Sequence, residues 1–353
     1  MYPDWLSLTG KGYVASMYKQ YGKIVSPMGC RAFLSPWYER GGMHPADDKD
    51  QPVFVGRFNI GAVSLHLPMI LAKARKESRD FYEVLDYYLE LIRQLHIRTY
   101  AYLGEMRAST NPLAYCEGGF LGGHLKLTDK IKPLLKSATA SFGITALNEL
   151  QELYNGKSLV EDGAFAVEVL EHINQKISEY KEEDGNLYAI YGTPAETLCY
   201  RFARIDREKY GDISNVTDKG YYTNSYHVDV REKIDAFTKF KIESEFQNKS
   251  LGGAISYVEV PNLTNNVEAI EEVIRFIYDN IQYGEFNTKS DYCQVCGYDG
   301  EIMINDNMEW ECPQCHNKDH AKMNVTRRTC GYLGENFWNA GKTKEIKARV
   351  LHL

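Results

Sequence analysis

Several features are scarce or absent in this sequence of 353 residues, and each absence excludes a class of protein. No apolar run approaches the ~18 residues of a membrane-spanning helix, so we expect no transmembrane segment. The first residues lack a basic stretch followed by an apolar run, which argues against a secretory signal peptide. A net charge of −7 provides no basic field for nucleic acid, so we expect no nucleic-acid partner.

Cysteines are too few for a disulfide scaffold. The chain has 8 of them, four in two Cys-x-x-Cys pairs and four scattered. This distribution predicts a reducing, cytoplasmic environment with a metal site and one reactive thiol.

The paired cysteines are spaced like a zinc ribbon. Fifteen residues separate Cys293-x-x-Cys296 from Cys312-x-x-Cys315, and this spacing suits four thiolates around one tetrahedral ion. A redox dithiol pair and an iron site of the rubredoxin type are the alternatives. We expect His316 not to be a ligand, because four thiolates already complete the shell.

Strand and helix patterns alternate between residues 53 and 280, which predicts an α/β architecture. The pattern predicts a strand over Val53–Leu67 and one long amphipathic helix over Lys73–Leu103. Alternation within Gly220–Val230 predicts a further strand with Tyr222, Asn224 and Tyr226 on one face.

A strand meets a helix near residue 193. We expect Thr193 to be the N-cap of that helix and Pro194 its first residue. A helix N-terminus offers free N–H groups and a positive dipole to a phosphate. A plain strand–helix junction is the alternative.

Two further segments carry chemistry-bearing residues. Met28-Gly29-Cys30-Arg31 forms a turn after a short apolar run, and presents Cys30 either as a reactive thiol or as a small buried side chain. Arg328-Thr329-Cys330-Gly331-Tyr332 follows the paired cysteines. Gly331 is either an ordinary turn glycine or a residue whose Cα can hold an unpaired electron, since no side chain crowds the planar radical.

In combination these motifs resemble the anaerobic (class III) ribonucleotide reductases, a family of glycyl-radical enzymes. The resemblance runs from about residue 26 to the end of the chain. It implies part of a ten-stranded α/β barrel with a C-terminal zinc ribbon and a glycyl-radical loop. The expected divisions are 1–285 for the barrel portion, 286–320 for the ribbon and 321–353 for the radical loop and tail.

The resemblance also implies roles for individual residues. Gly331 would store a radical made by a separate radical-SAM activase, which carries S-adenosylmethionine and a 4Fe-4S cluster. Cys30 would become the thiyl radical that attacks a ribonucleoside triphosphate, assisted by Asn59 and Met28, with formate as reductant. The residues expected to bind the substrate are Thr193, Ala195, Glu196, Thr197 and Asn224.

Members of that family are about twice as long as this chain. We therefore expect a C-terminal portion that pairs with an N-terminal half, and a homodimer in the complete enzyme. Two alternatives remain from the sequence. A pyruvate formate-lyase relative would carry adjacent cysteines in its active loop, whereas a non-catalytic zinc-ribbon binding module would have a basic ribbon surface.

Overall fold

The computed structural model of the protein describes residues 31–261, 263, 266–289, 291–329 and 338–353, together with 7–9, 22, 25, 28 and 333–335. Its helices are α1 Leu67–Glu77, α2 Phe81–Gly104, α3 Pro112–Tyr115, α4 Leu147–Asn155, α5 Ala164–Asp184, α6 Glu196–Tyr210, α7 Ala236–Gln247, α8 Val267–Asn280 and α9 Ala340–Ala348. Its strands are β1 Ser7–Thr9, β2 Asn59–His66, β3 Thr139–Thr145, β4 Leu187–Gly192, β5 Ser256–Glu259, β6 Tyr283–Asn287, β7 Asp291–Cys293, β8 Asp299–Gly300, β9 Met303–Ile304, β10 Trp310–Glu311, β11 Met323–Asn324, β12 Thr326–Arg328 and β13 Leu333–Glu335. This alternation agrees with the predicted α/β class.

A parallel sheet of three strands, in the order β2-β3-β4, forms the centre of the larger region. Its two faces differ in chemistry because side chains alternate along each strand. Phe142 of β3 lies on the helix-covered face, where its ring centroid is 5.2 Å from His96 of α2 and 6.2 Å from Tyr180 of α5. The opposite face carries small and polar side chains, including Ser64, Ser141 and Gly143.

The outer side of this region is open at β2. Gly61 and Ala62 of β2 are exposed, and none of the described strands pairs with the edge of β2 opposite β3. Helix α2 is also incompletely covered, since a stripe of large apolar side chains along it reaches solvent. The members of this α2 stripe are Tyr87, Leu91, Leu95 and Tyr102.

The α2 stripe lies on the flank of the helix that faces away from α5. The flank toward α5 makes polar contacts: Arg93 pairs with Asp184 at 2.6 Å, and the His172 ring nitrogen Nε2 lies 2.6 Å from the Asp86 carboxylate. With 3.6 residues per turn, the stripe projects from nearly the opposite side of the helix, beyond the open edge of β2.

The single helix predicted over Lys73–Leu103 is wrong, because the chain forms α1 and α2 with a break between them. Ser78 adopts a left-handed conformation (φ 50°) and ends α1. The carboxylate of Asp80 then accepts hydrogen bonds from the N–H groups of Tyr82 and Glu83, which caps α2.

Two predicted strands also need correction. The strand expected over Val53–Leu67 begins only at Asn59, because Gly56 turns the chain with φ 75°. The strand expected within Gly220–Val230 is a loop, in which Ser225 has φ 41° and the N–H of His227 donates to Asn224.

A second sheet in the order β1-β6-β5 joins the larger region to the C-terminal part. The last residues of the chain run against this sheet and α7. The N–H of Ala236 donates to the carbonyl of His352, and the N–H of Glu259 donates to the His352 ring nitrogen Nδ1 at 3.0 Å. Across the part of the chain that the structure describes, no helix has both the length and the apolar character needed to cross a membrane.

Candidate active site and metal centre

The four paired cysteines converge on one point. Their sulfur atoms all lie within 4.8 Å of one another, and β7 and its neighbouring turns hold them there. In each Cys-x-x-Cys turn the chain folds back on itself, with Gly297 N–H donating to the Cys293 carbonyl and His316 N–H donating to the Cys312 carbonyl. The sequence spacing therefore becomes a single cluster in space.

The dimensions of the cluster suit a tetrahedral zinc ion. Zn–S bonds of about 2.3 Å place tetrahedral sulfur atoms about 3.8 Å apart. The sulfur–sulfur distance is 3.7 Å both for Cys293 with Cys315 and for Cys296 with Cys312, far longer than a disulfide bond. The His316 ring contacts Glu311 at 2.6 Å and is not part of the cluster. These residues fit zinc, which would crosslink the two turns.

The cysteine cluster is tied to the strand that leads to Gly331. Asp291 of β7 forms a buried, two-pronged ion pair with Arg327 of β12. The Arg327 guanidinium also lies 5.4 Å from the centre of the Trp310 ring, which in turn is 5.8 Å from the ring of Trp338. Contacts thus reach from the ribbon to both sides of the glycine segment.

The glycine segment lies between two paired strands. In the antiparallel pair β12–β13, Arg328 is opposite Leu333 and Thr326 is opposite Glu335, so residues 329–332 connect them. Gly331 itself lies outside the described residues. Arg328 forms a buried ion pair with Glu285 of β6, which fastens the first strand of this hairpin to the second sheet.

The cysteine segment near residue 30 is fastened to the same sheet. Met28, which is half-buried, and Ala32 exchange backbone hydrogen bonds of 2.7 and 3.0 Å. Cys30, between them in the sequence, lies outside the described residues. Ala32 also bridges to Gly253, just before β5, and Phe33 makes an edge contact with Tyr283 of β6 at 6.5 Å.

The junction after β4 differs from the predicted one. Helix α6 begins at Glu196 with Ala195 at the N-cap, so the expected roles of Thr193 as N-cap and Pro194 as first helical residue are wrong. The Thr193 hydroxyl is instead 2.8 Å from the hydroxyl of Ser64 on β2. Among the described side chains, none caps α6. The side chain of Glu196 lies outside the described residues, whereas Thr197 is exposed at the first turn.

Asn224 and Asn59 lie in different places. The Asn224 side-chain oxygen accepts a 3.0 Å hydrogen bond from Ala195 N–H, so Asn224 lies at the start of α6. Asn59 lies at the amino end of β2, where its amide nitrogen donates to Ser141 at 2.6 Å. The start of α6 follows the carboxyl end of β4. The structure therefore brings Asn224, but not Asn59, next to the expected substrate-binding residues.

Two residues, Gly143 and Ser64, position the loop at Thr193 and were not predicted from the sequence. A methyl group at Gly143 would lie 2.2 Å from the Thr193 hydroxyl oxygen and 2.7 Å from that of Ser64. Only a hydrogen fits there, so Gly143 allows the Ser64–Thr193 contact. The alternation of small and polar residues along β2 and β3 was the available signal, because it marks the face opposite the one that α2 and α5 cover.

Cys199, His96 and His66 are packed against other side chains or backbone. Cys199 is buried on α6, and burial raises the pKa of its thiol to about 12, which makes it unreactive at neutral pH. His96 is buried with its ring nitrogen Nε2 3.1 Å from the Ser141 carbonyl, and the His66 ring stacks on Phe202.

Comparison with known proteins assigns the chain to a family. The model of the family described as anaerobic ribonucleoside-triphosphate reductase matches residues 1–352. The chain belongs to this family. The reductase of Haemophilus influenzae is 37% identical over 362 residues, covering 100% of this chain and 49% of that protein. For the bacteriophage T4 reductase the identity is 36%, covering 100% of this chain and 56% of the relative.

Solved structures of anaerobic ribonucleotide reductases share the fold. One from Thermotoga maritima, with MES in its active site, has a TM-score of 0.59 at 21% identity, covering 78% of this chain and 44% of that one. Another from the same organism, in complex with dATP and CTP, has a TM-score of 0.58 at 20% identity, covering 84% and 47%. The chain thus spans about half the length of the relatives it matches.

Proposed function

We propose that this chain is the C-terminal catalytic portion of an enzyme that reduces ribonucleoside triphosphates to deoxyribonucleoside triphosphates for DNA synthesis without oxygen. One observation carries the proposal. The segments that contain Cys30 and Gly331 are both fastened to β6 and its neighbour, through Phe33 and Arg328 respectively. A radical can pass between a glycine and a cysteine only when their segments approach each other, and this sheet is a common support for both.

Within that function, Gly331 would hold the stored radical and Cys30 would be oxidised by it to a thiyl. The thiyl would take the 3′ hydrogen of the ribose, after which the 2′ hydroxyl leaves as water and formate supplies the reducing equivalents. Met28 would lie beside the reacting sulfur. Asn59, at the amino end of β2 and away from the proposed phosphate site, would hydrogen-bond to the ribose end of the substrate. A separate activase with S-adenosylmethionine and a 4Fe-4S cluster would generate the glycyl radical.

The start of α6 is the proposed site for the triphosphate. Its first N–H groups have no side-chain cap, and the dipole of a 15-residue helix favours a negative charge there. Asn224 and Thr193 hold the loop in place, with Ala195 lining the site. The backbone N–H groups of Glu196 and Thr197 and the Thr197 hydroxyl would donate to the phosphates. Burial of Ala195 and exposure of Thr197 set the direction from which the phosphates approach.

The zinc ribbon would serve as a structural platform for the glycine segment. Asp291 and Trp310 of the ribbon contact Arg327 in β12, so the position of β12 depends on the ribbon. Sheet pairing of β11 with the Cys293-bearing β7 extends this platform to Asn324, slightly beyond the predicted division at 320.

An N-terminal half is the proposed partner, with a homodimer as the complete assembly. The open edge of β2 offers unpaired N–H and C=O groups to an added strand. The α2 stripe above that edge offers apolar area to an added helix. A single further strand–helix unit would cover both surfaces, which fits a family whose members are about twice as long.

The function is tested by electron paramagnetic resonance under anaerobic conditions. The chain is incubated with a class III activase, S-adenosylmethionine and a reductant, with and without an N-terminal half from a relative. We expect a doublet that collapses to a singlet when glycine is deuterated at Cα. Gly331→Ala should abolish the signal, whereas Gly334→Ala, in the neighbouring strand, should keep it.

A second variant separates radical storage from catalysis. Cys30→Ser should keep the glycyl signal but form no deoxynucleotide, since an alkoxyl radical is not accessible from glycyl. Absence of the doublet in the presence of the N-terminal half, in a folded sample with zinc bound, would refute the proposed function.

A further inference from the structure

The arginine that follows Cys30 has an unusual environment. Arg31 is fully buried, with 0% of its surface exposed. Its guanidinium donates one hydrogen bond, from Nη1 to the carbonyl of Gly192 at 3.3 Å. Its Nε and Nη2 atoms have no hydrogen-bond partner among the residues that the structure describes. A buried guanidinium with most of its donors unused is costly unless an anion pairs with it.

No carboxylate in the described part of the chain forms an ion pair with Arg31. The positive charge of Arg31 interacts electrostatically with three nearby side chains, Tyr226, His227 and Tyr257. Burial lowers the pKa of His227 to about 4, so this ring is neutral at neutral pH and the two tyrosines are neutral as well. The protein therefore does not neutralise Arg31 from these groups.

Other unused donors lie on the loop that approaches Gly192 and the start of α6. The hydroxyl of Ser225 is buried without a partner, and a methyl group at Gly192 would lie 3.3 Å from it. The amide nitrogen of Asn224 is also buried and unpartnered, while its oxygen accepts from Ala195. Arg31 at Gly192, Ser225 beside Gly192 and Asn224 at Ala195 thus carry unused donors along the segment from Gly192 to the start of α6.

We propose that Arg31 is the counter-charge for an oxyanion of a reactant, with Ser225 and Asn224 as neutral donors beside it. The inference rests on the proposed function, because the oxyanion is a phosphate of the nucleotide or the carboxylate of formate. Both present oxygen atoms to a planar guanidinium in the same manner. Arg31 would then hold the anion at the loop that contains Gly192, one residue along the chain from Cys30.

The test measures anion binding by the full chain without any radical. Sodium formate or inorganic triphosphate is added, and the melting temperature is measured. Hydrogen exchange is followed in residues 190–198 and 222–228. Wild type is compared with Arg31→Gln, which removes the charge, and Arg31→Lys, which keeps it. Charge-assisted hydrogen bonds of this kind predict at least tenfold weaker binding in Arg31→Gln and partial retention in Arg31→Lys.

A matched control separates binding from folding. Arg349 is also buried, but it is paired with Glu345 and Glu259, so Arg349→Gln should lower the melting temperature. Arg31→Gln should leave the melting temperature without ligand unchanged or higher, because it removes an uncompensated charge.

The two anions distinguish the source of the oxyanion. If protection by formate requires Arg31, the bound oxyanion is the carboxylate of the reductant. If protection by triphosphate requires Arg31, the oxyanion is a phosphate of the nucleotide. The inference is overturned if neither anion protects the wild type, or if Arg31→Gln binds both as well as wild type. Because no radical is involved, this outcome is independent of the resonance experiment on Gly331.

Discussion

The region around β3 and the region around the four cysteines are stabilised in different ways. Every residue of β3 is buried, and Phe142 and Ile144 belong to a large apolar cluster that extends through α2 and α5. The cluster around Trp310 is much smaller and counts Cys293 and Cys312 among its buried members. The first region can therefore fold by apolar burial, whereas the second depends on what the sulfur atoms bind.

The largest expected effect is loss of the metal from the second region. Removing one thiolate with Cys312→Ser should abolish zinc retention and unfold residues 291–325, because structural zinc contributes about 10–16 kcal/mol to such sites. Zinc content and hydrogen exchange measure the change. The control Cys116→Ser, at a half-buried cysteine outside the cluster, should retain zinc.

The exchange data locate the effect of the Cys312→Ser change. Exchange in 139–190 should stay slow, since the apolar cluster does not include the cysteines. If protection in 291–325 survived complete loss of the ion, the contrast between the two regions would be incorrect.

A change in the first region should have the converse effect. Phe142→Ala deletes a ring that is 0% exposed, which should lower the free energy of unfolding by about 3–5 kcal/mol. Denaturant unfolding gives the free energy, and zinc content should not change. Leu113→Ala, at a residue that is 75% exposed, should alter stability by at most ~0.5 kcal/mol. A Phe142→Ala protein that loses zinc would show that the regions are coupled.

Much of this contrast could be predicted from sequence, but the corrected details share one cause. The cysteine spacing and the alternation of strands and helices are local patterns. The four cysteines converge as predicted and the α/β class is confirmed, whereas zinc itself stays a prediction. The role of Thr193 depends on Ser64, 129 residues away, and no local pattern reports such a partner. The break before α2 was missed because apolar spacing continues across it, although Asp80 is a good capping residue.

Contacts with residues far away in the sequence also explain why 220–230 is a loop and not the predicted strand. The buried tyrosines of Gly220–Val230 alternate as in a strand, but their partners are elsewhere. Tyr222 donates to Asp206 on α6 at 2.8 Å, and Tyr226 donates to the Ile255 carbonyl at 2.7 Å. These tertiary contacts, rather than a neighbouring strand, bury the segment.

The smallest expected effect is that of mild acid on the C-terminal tail. Burial lowers the pKa of His352 to about 4, and its Nδ1 accepts a hydrogen bond from Glu259. The unfolded chain takes up a proton near pH 6.5 while the folded chain does not, so stability falls as the pH drops from 6.5 toward 4. Between pH 7.5 and 5.5 the loss should be about 1 kcal/mol.

Substitution of the histidine tests the sign of this effect. His352→Gln should reduce the dependence of the melting temperature on pH, while His44→Gln, at an exposed residue, should leave it unchanged. Zinc content is measured in parallel, because acid also protonates thiolates. A steeper pH dependence in His352→Gln would contradict the assignment.

The lack of space for a side chain at Gly143 affects how sequence variants at this position should be interpreted. Any other residue at this position would displace the Thr193 hydroxyl or the Ser64 hydroxyl, and would thereby move the start of α6 from within the sheet. Under the proposed function, a substitution at position 143 would appear as a defect in nucleotide binding, although position 143 is not among the residues proposed to bind a reactant. Tolerance to mutation at position 143 thus reports on loop geometry, and a deep mutational scan should place it with the binding residues despite its location in a strand.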